Sequence, residues 1–413
     1  MKLVELTNQQ FDEYAKYHPL NNYCQTSKYA LIMSEYGFSY DYIGYVDDNN
    51  NILAATLILT KRIANRTKYG YAPKGFLINY YDQELLKDFL NQIRKHYKKD
   101  NFVFIKFNPE IIIGETNKGN KYIMSYNGNV RIIDELKSMN VKRRLELKEF
   151  DLLEPKFNAY LNLKQFDVNK LNRNYRKKIR HSLNKGMSLV LGGPKDIPTL
   201  YEMMKGKTDK PLSFYRNFYN VFSRDNSIDL VFITVDYAKY LQNCRKIYDL
   251  ELQINDYWNN LIQKDPRRKN LNNKMTSDKK LQGYKEEIIK ATAGLKKGET
   301  VYVAGALVIK HFNRVCILAS GFNKDYKYLN PNHFLHYAIF ERYKPYFSYC
   351  DMNGVTGKFD ESSQYHGLNQ FKLKFDPTIY EFVGEFDLIC NDRLFKKLIK
   401  TSFIEDEFNK KTF

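Results

Sequence analysis

The chain has 413 residues, of which 43% are hydrophobic and 15% aromatic, and it carries a formal net charge of +19 at pH 7. That length and apolar content fit a folded globular protein with two or three cores, and the charge favours a polyanionic partner such as RNA, DNA or an anionic membrane face. Five scattered cysteines (Cys24, Cys244, Cys316, Cys350 and Cys390) form no Cys-x-x-Cys pair and no His-x-x-x-His spacing accompanies them, which points away from a disulfide framework and a zinc site and towards a reducing cytosol.

The opening "MKLVELTNQQFDEYAKY" has early acids and no apolar core run, so it is not expected to be a signal peptide, and no later run reaches the length of a membrane span. Any membrane contact is therefore expected to be peripheral. Next comes "YIGYVDDNNNILAATLILTKRIANRTKYGYAPKG", read as a strand, a basic hairpin turn, a second strand and a glycine-containing loop. A helical "DQELLKDFLNQIRKHYKK" and a strand "NFVFIKFNPE" follow.

In "NKLNRNYRKKIRHSLNKGMSL" the residues Leu171, Tyr175, Ile179 and Leu183 recur every four positions among Lys170, Arg173, Arg176, Lys177, Lys178, Arg180 and Lys185, with no acid. This predicts an amphipathic helix ending at Gly186, whose cationic face neutralises phosphates without reading sequence. A solvated charged face is the plainer alternative.

From 236 to 297 the chain is polar and almost free of glycine. Apolar residues step by three and four through Cys244, Ile247, Leu250, Ile254, Tyr257 and Leu261, then through Leu271, Met275, Leu281, Tyr284, Ile288, Ala291 and Leu295 with one six-residue break after Met275, and "KDPRRKN" stands between the series. The pattern predicts an antiparallel coiled-coil arm, the alternative being a helix pair packed on the body. A second unit, "VYVAGALVIKHFNRVCILASGFNKDYKYLN", helical "NHFLHYAIFERYKPY" and "FSYCDMNGV", repeats the order of the first, so an α/β unit is duplicated.

The segment "GVTGKFDESSQYHGLNQFKLKF" is no Walker loop, since Gly354 and Gly357 are three apart and Phe359 follows Lys358. "FKLKF" reads as a strand with Phe371, Leu373 and Phe375 on one face and Lys372 and Lys374 on the other; a lysine held there at a cleft could stabilise an oxyanion. Neither glycine loop offers the pyrophosphate wrap that acetyl-CoA needs, and no local Ser/His/Asp or Cys/His set supplies a nucleophile.

The stretches "YCQTSKYALIMSEYGF", "YAPKGFLIN", "FIKFNPE", "NRNYRKKIRHSLNKGMSL", the helical pair, "DMNGVTGKF", "GLNQFKLKF" and "YEFVGEFD", in this order along essentially the whole chain, resemble the Fem aminoacyltransferases. That resemblance implies an α/β fold of two acetyltransferase-like (GNAT) domains, at 1–150 and at 151–235 with 298–400. A helical arm at 236–297 and a tail at 401–413 complete the expected layout. It implies transfer of an amino acid from aminoacyl-tRNA to an amine of a peptidoglycan precursor, lipid II or its nucleotide-linked form, at the inner membrane surface. No cofactor or metal is expected beyond aminoacyl-tRNA as co-substrate. Since the substrates bring both the nucleophile and the activated ester, the enzyme need only position them and stabilise the oxyanion.

Carried over by position, the resemblance puts the catalytic lysine at Lys372 and acceptor contacts at Gln25, Lys74, Asn108, Lys210, Tyr215 and Lys358; Lys28 joins the acceptor set as a substitute cation, and the cationic helix offers Arg173, Arg176, Lys177, Lys178 and Arg180 to tRNA. Three positions depart from the family pattern: Met33 replaces a phosphate-binding lysine, Asn108 an aspartate and Lys74 an arginine. Lys28 or Lys74 is the expected substitute for the missing lysine. Two further readings are a resistance or immunity homologue with altered bridge chemistry, and an RNA binder that has lost its acceptor site.

Overall fold

The computed structural model describes residues 1–64, 67–116, 124–146, 148–150, 152–298 and 301–399, so the tail at 401–413 lies outside the described residues. Two mixed sheets organise a mixed α/β fold. The seven-stranded sheet runs Lys2–Glu5, Ser39–Val46, Ile52–Ala64, Thr67–Ala72, Phe102–Phe107, Phe386–Ile389, Val141–Arg143. The nine-stranded sheet runs Met187–Gly192, Ile228–Val235, Tyr302–His311, Arg314–Phe322, Tyr349–Val355, Phe157–Asn162, Thr378–Phe382, Ile112–Thr116, Met124–Tyr126.

The repeat read from the sequence is visible in the pairing. In each sheet a long antiparallel hairpin is followed by a helix and a strand that returns parallel to the hairpin's second arm: Thr67–Ala72 with Phe102–Phe107, and Arg314–Phe322 with Tyr349–Val355. A parallel return requires a crossover, which helices Gln83–Lys99 and Pro331–Tyr343 supply. The sheets also exchange strands. Strands Ile112–Thr116 and Met124–Tyr126 join the edge of the nine-stranded sheet, and Phe386–Ile389 inserts between Phe102–Phe107 and Val141–Arg143.

One core lies between the sheets. Leu57, Leu59 and Tyr71 from one and Leu230, Phe232, Leu307 and Ile309 from the other pack with the short helices that carry Ala30, Met33, Leu200 and Phe218. Met33 is 1% exposed in that core, so this position is occupied by packing and faces no ligand.

Helices Tyr237–Lys264 and Arg268–Lys297 form a hairpin whose base is fixed by Tyr237, Tyr240, Leu241, Cys244 and Ala291, all buried in the core of the nine-stranded sheet. Farther out, the seam departs from the predicted stripe. Glu251 and Asn255 are buried on the outgoing helix and Asn270 and Ser277 on the returning one, whereas Leu250, Ile254, Tyr257, Leu271 and Met275 are exposed. Ser277 Oγ donates to Glu251 Oε1 at 2.7 Å and Asn255 Nδ2 to Asp278 Oδ1 at 2.9 Å. On the outgoing helix the seam lies one position beyond the apolar series, a rotation of about 100°. Among the described residues no helix is long and apolar enough to cross a membrane.

Candidate active site

"FKLKF" is not a strand. Residues His366–Leu373 form a helix, because Phe371 and Phe375 are also spaced for one helical face and pack around the buried ring of His336, at 4.8 and 5.7 Å between centroids. Asn369 and Lys372, three apart, then share a face. Asn369 Nδ2 donates to Thr356 Oγ1 at 2.6 Å and to Lys358 O at 2.7 Å, which pins the loop of Lys358, itself exposed.

Lys372, 7% exposed, donates from Nζ to Gly354 O at 2.6 Å. Burial lowers its pKa to about 8, against the opposing pull of Asp351. His336 is pushed down to about 4, chiefly by burial and then by the Lys372 charge, so its ring is neutral and Lys372 is the cation here. Gly354 ends a bulge in strand Tyr349–Val355. Asn353, in left-handed backbone at φ 68°, donates its N–H to Asp351 Oδ1 at 2.7 Å and turns the chain so that the Gly354 carbonyl meets Lys372. A Cβ on Gly354 would come within 2.5 Å of Pro155 Cγ, so the residue is glycine for space.

A second cluster lies on the other side of Asp351. Lys74 Nζ is 3.6 Å from Glu110 Oε1 and 3.7 Å from Glu154 Oε2, and Arg314 Nη2 is 2.7 Å from Glu110 Oε2. The two cations overcome the cost of burial and hold Glu110 down at about 2, while the two carboxylates raise Lys74 despite its own burial. Lost hydration raises Asp351, which faces Glu110, Arg314 and Lys74 as well as Lys372.

Gln25 and Asn108 support this cluster through the backbone. Gln25 Nε2 donates to Pro73 O at 2.7 Å while its Oε1 accepts from Leu57 N at 2.9 Å, and Asn108 Oδ1 accepts from Lys74 N at 2.8 Å. They fix the turn on which Lys74 adopts φ 55°. Lys210 stands nearby, its charge reaching Glu154 and its Nζ 5.3 Å from the Phe214 ring. Tyr215 is buried and shares a 2.7 Å hydrogen bond with Thr208 Oγ1. Lys28 is apart from these, bonded to Asp225 and to Ser227 Oγ at 3.1 Å.

The basic segment is a helix, Arg173–Asn184, capped by Asn172, with Tyr175 and Ile179 buried and Leu183 exposed. Lys177, Lys178 and Arg180 line a groove of about 1230 Å³ between this helix, the base of the helical hairpin, and Gln370 and Lys374 beside Lys372. Arg173 and Arg176 are on the same helix but outside the groove lining. Sequence reasoning missed Glu110, Glu154, Arg314, Asp351 and Asn369. All are single polar residues in apolar or loop stretches, and only the long-range pairing assembles them. The five cysteines are all buried, and burial raises every thiol pKa, which leaves no reactive thiolate. Among the described residues no group of three or more His, Cys, Asp or Glu could hold a metal ion.

The fold thus places the buried Lys372 beside Gln370 and Lys374 of a basic groove, with the Lys74, Glu110, Glu154 and Arg314 cluster near Asp351. A solved structure described as FemX shares the fold, with a TM-score of 0.76 and 21% identity over 96% of this chain and all of that one. The FemAB family model matches residues 6–401, and the chain belongs to the FemAB family. It is 26% identical over 409 residues to aminoacyltransferase FemA of Staphylococcus epidermidis, covering 94% of this chain and 95% of the relative. It is 25% identical over 411 residues to the lipid II:glycine glycyltransferase of the same species, covering 96% and 94%.

Proposed function

We propose that this chain is an aminoacyltransferase that extends the interpeptide bridge of a peptidoglycan precursor, with aminoacyl-tRNA as donor. An amine of the lipid-linked precursor attacks the ester carbonyl carbon, a new amide bond forms, the bond to the tRNA 3′-oxygen breaks, and the amine proton leaves with that oxygen. Lys372 would stabilise the developing oxyanion. The observation that carries the reading is the groove that runs from Lys177, Lys178 and Arg180 to Lys374, next to the buried Lys372 on the same helix. The names of the relatives, FemA and lipid II:glycine glycyltransferase, support the acceptor class.

In the same reading each sheet is the centre of a GNAT-like domain, and the boundaries expected from sequence do not divide the sheets, since Phe386–Ile389 lies in the first and Ile112–Thr116 and Met124–Tyr126 lie in the second. The hairpin 236–297 serves as a coiled-coil arm that engages tRNA, and no cofactor takes part. Lys210, Tyr215, Lys358, Lys74, Asn108 and Gln25 hold or frame the acceptor, and Lys28 contributes from its outlying position. Arg173 and Arg176 add tRNA contacts outside the groove, and the protein works in the cytoplasm at the inner membrane face.

A second reading, RNA binding without transfer, is favoured by the two carboxylates on Lys74 and by the packed Met33. The deciding experiment is transfer of labelled amino acid from a mixed pool of charged tRNAs to lipid II, with the soluble nucleotide-linked precursor run in parallel. Transfer to either acceptor supports the enzyme and names its amino acid. Salt-sensitive tRNA binding with no transfer to any precursor supports the second reading.

A further inference from the structure

Phe312 is 64% exposed and Tyr346 79% exposed, although the chain has ample core to receive both. Phe312 is the first residue of the two-residue turn between strands Tyr302–His311 and Arg314–Phe322, and its φ is 52°. Left-handed turn positions favour Asn or Gly, so a phenylalanine here is costly for the turn alone. Asn313 O accepts from Ser348 N at 2.8 Å and from Tyr349 N at 3.3 Å, which ties the turn to the loop that carries Tyr346. The two rings are therefore presented from one rigid edge, and both line a cavity of about 780 Å³ together with Lys310 and Arg342.

The rim of this edge is basic. Lys164 Nζ donates to Lys344 O and Pro345 O at 2.8 and 3.0 Å, directly beneath Tyr346, and Arg342 is exposed. The half-buried carboxylate nearby, Asp229, is already paired with Lys310 at 2.7 Å, and Glu341 adds one exposed acid. Two residues after Phe312, Arg314 pairs with Glu110, whose other oxygen faces Lys74, so the aromatic edge adjoins the proposed acceptor cluster.

We propose that Phe312 and Tyr346, flanked by Lys164 and Arg342, are the surface through which the protein docks on an anionic lipid bilayer. Amphipathic aromatic rings settle at the headgroup level, and the flanking cations meet anionic headgroups within a Debye length. The choice of a bilayer over a protein partner rests on the lipid-linked acceptor proposed above, together with the basic rim. Docking at this edge would bring the Lys74 cluster to the membrane surface and leave the helical hairpin free for RNA.

The test is flotation of the full chain with vesicles of phosphatidylcholine alone and of phosphatidylcholine and phosphatidylglycerol in equal parts. The wild type is expected to bind the anionic vesicles preferentially, and F312S/Y346S to lose roughly tenfold or more in affinity. Melting temperature, RNA affinity and transfer to the soluble precursor should be unchanged in that variant. K164Q/R342Q should weaken binding and flatten its salt dependence. Equal flotation of the wild type and F312S/Y346S, or none by the wild type, overturns the assignment. So does a vesicle-induced blue shift of Trp258, which would put the contact on the hairpin. Vesicle binding needs no acceptor, so failure of transfer would count against the enzymatic reading and leave this result intact.

Discussion

Lys372 reaches across from its helix to the carbonyl of Gly354, the residue that ends the bulge of strand Tyr349–Val355. An ammonium in that position has one proton committed to the protein and others available to a substrate oxygen. Replacement by alanine is expected to lower turnover about a hundredfold or more, the scale of losing one oxyanion donor, with tRNA affinity nearly intact. Equal losses in binding and turnover, measured by single-turnover kinetics and filter binding, would reassign Lys372 to a phosphate contact.

The same lysine sets a pH limit. Its pKa falls from the ordinary lysine value of 10.5 to about 8, so the charged form is lost as pH rises through about 8, and turnover should decline there. K372R, whose guanidinium stays charged, should keep its lower activity flat across that range. The stability sign is opposite: between about 8 and 10.5 the unfolded chain holds the proton that the folded one has lost. Wild-type stability should therefore rise with pH in that window relative to K372M, as read by urea denaturation.

Gly354→Ala places a methyl group against the rigid ring of Pro155. The strand end must shift and carry the acceptor of the Lys372 hydrogen bond with it, so turnover is expected to fall at least tenfold from a small displacement. A crystal structure of the variant should show Lys372 Nζ separated from residue 354 O; full activity would mean that this contact does not position the ammonium.

Glu110 serves two cations. Held at about 2 against 4.5 for a free carboxyl, it contributes stability that is fully present above pH 4.5 and is lost as pH falls towards 2. Glu110→Gln leaves Lys74 and Arg314 buried without their shared carboxylate and should cost about 3–5 kcal/mol at pH 7. Chemical denaturation at pH 7 and pH 3 checks both parts: the gap between wild type and variant should narrow at the lower pH.

The hairpin can be shortened without opening the body. Removing residues 248–284 leaves Tyr237, Tyr240, Leu241, Cys244 and Ala291 in the core, so the melting temperature should change by only a few degrees, roughly, while tRNA affinity falls. Removing 240–296 takes Tyr240, Leu241, Cys244 and Ala291 out of that core and should destabilise the whole protein. Unchanged tRNA affinity in the shorter deletion would remove the arm from RNA binding.

Much of this was legible in the chain. Hydrophobic periodicity located both α/β units, the basic helix and the helical pair, because each buries a face that its own spacing declares. "FKLKF" was misread because five residues fit a strand and a helix equally well. The packing of Phe371 and Phe375 on His336, and the inward demand of Asn369 and Lys372, decide it. On the outgoing helix the seam is displaced by one residue because Glu251, bonded to Ser277, and Asn255, bonded to Asp278, take the inner positions that apolar spacing assigns to Leu250 and Ile254. Glu110, Glu154 and Asp351 have no local signature, since a carboxylate's role here depends on cations far away in sequence.

The strand Phe386–Ile389, which sits between Phe102–Phe107 and Val141–Arg143, has a consequence for synthesis on the ribosome. The seven-stranded sheet must wait for residues 386–389 to emerge before its gap closes, and until then Phe102–Phe107 and Val141–Arg143 have unpaired backbone edges. Premature termination anywhere before Phe386 would yield a chain with a slot in its first sheet, prone to accept a strand from a neighbouring nascent chain. Arrival of residues 386–389 thus acts as the checkpoint for a sheet whose other strands have all been made by residue 143.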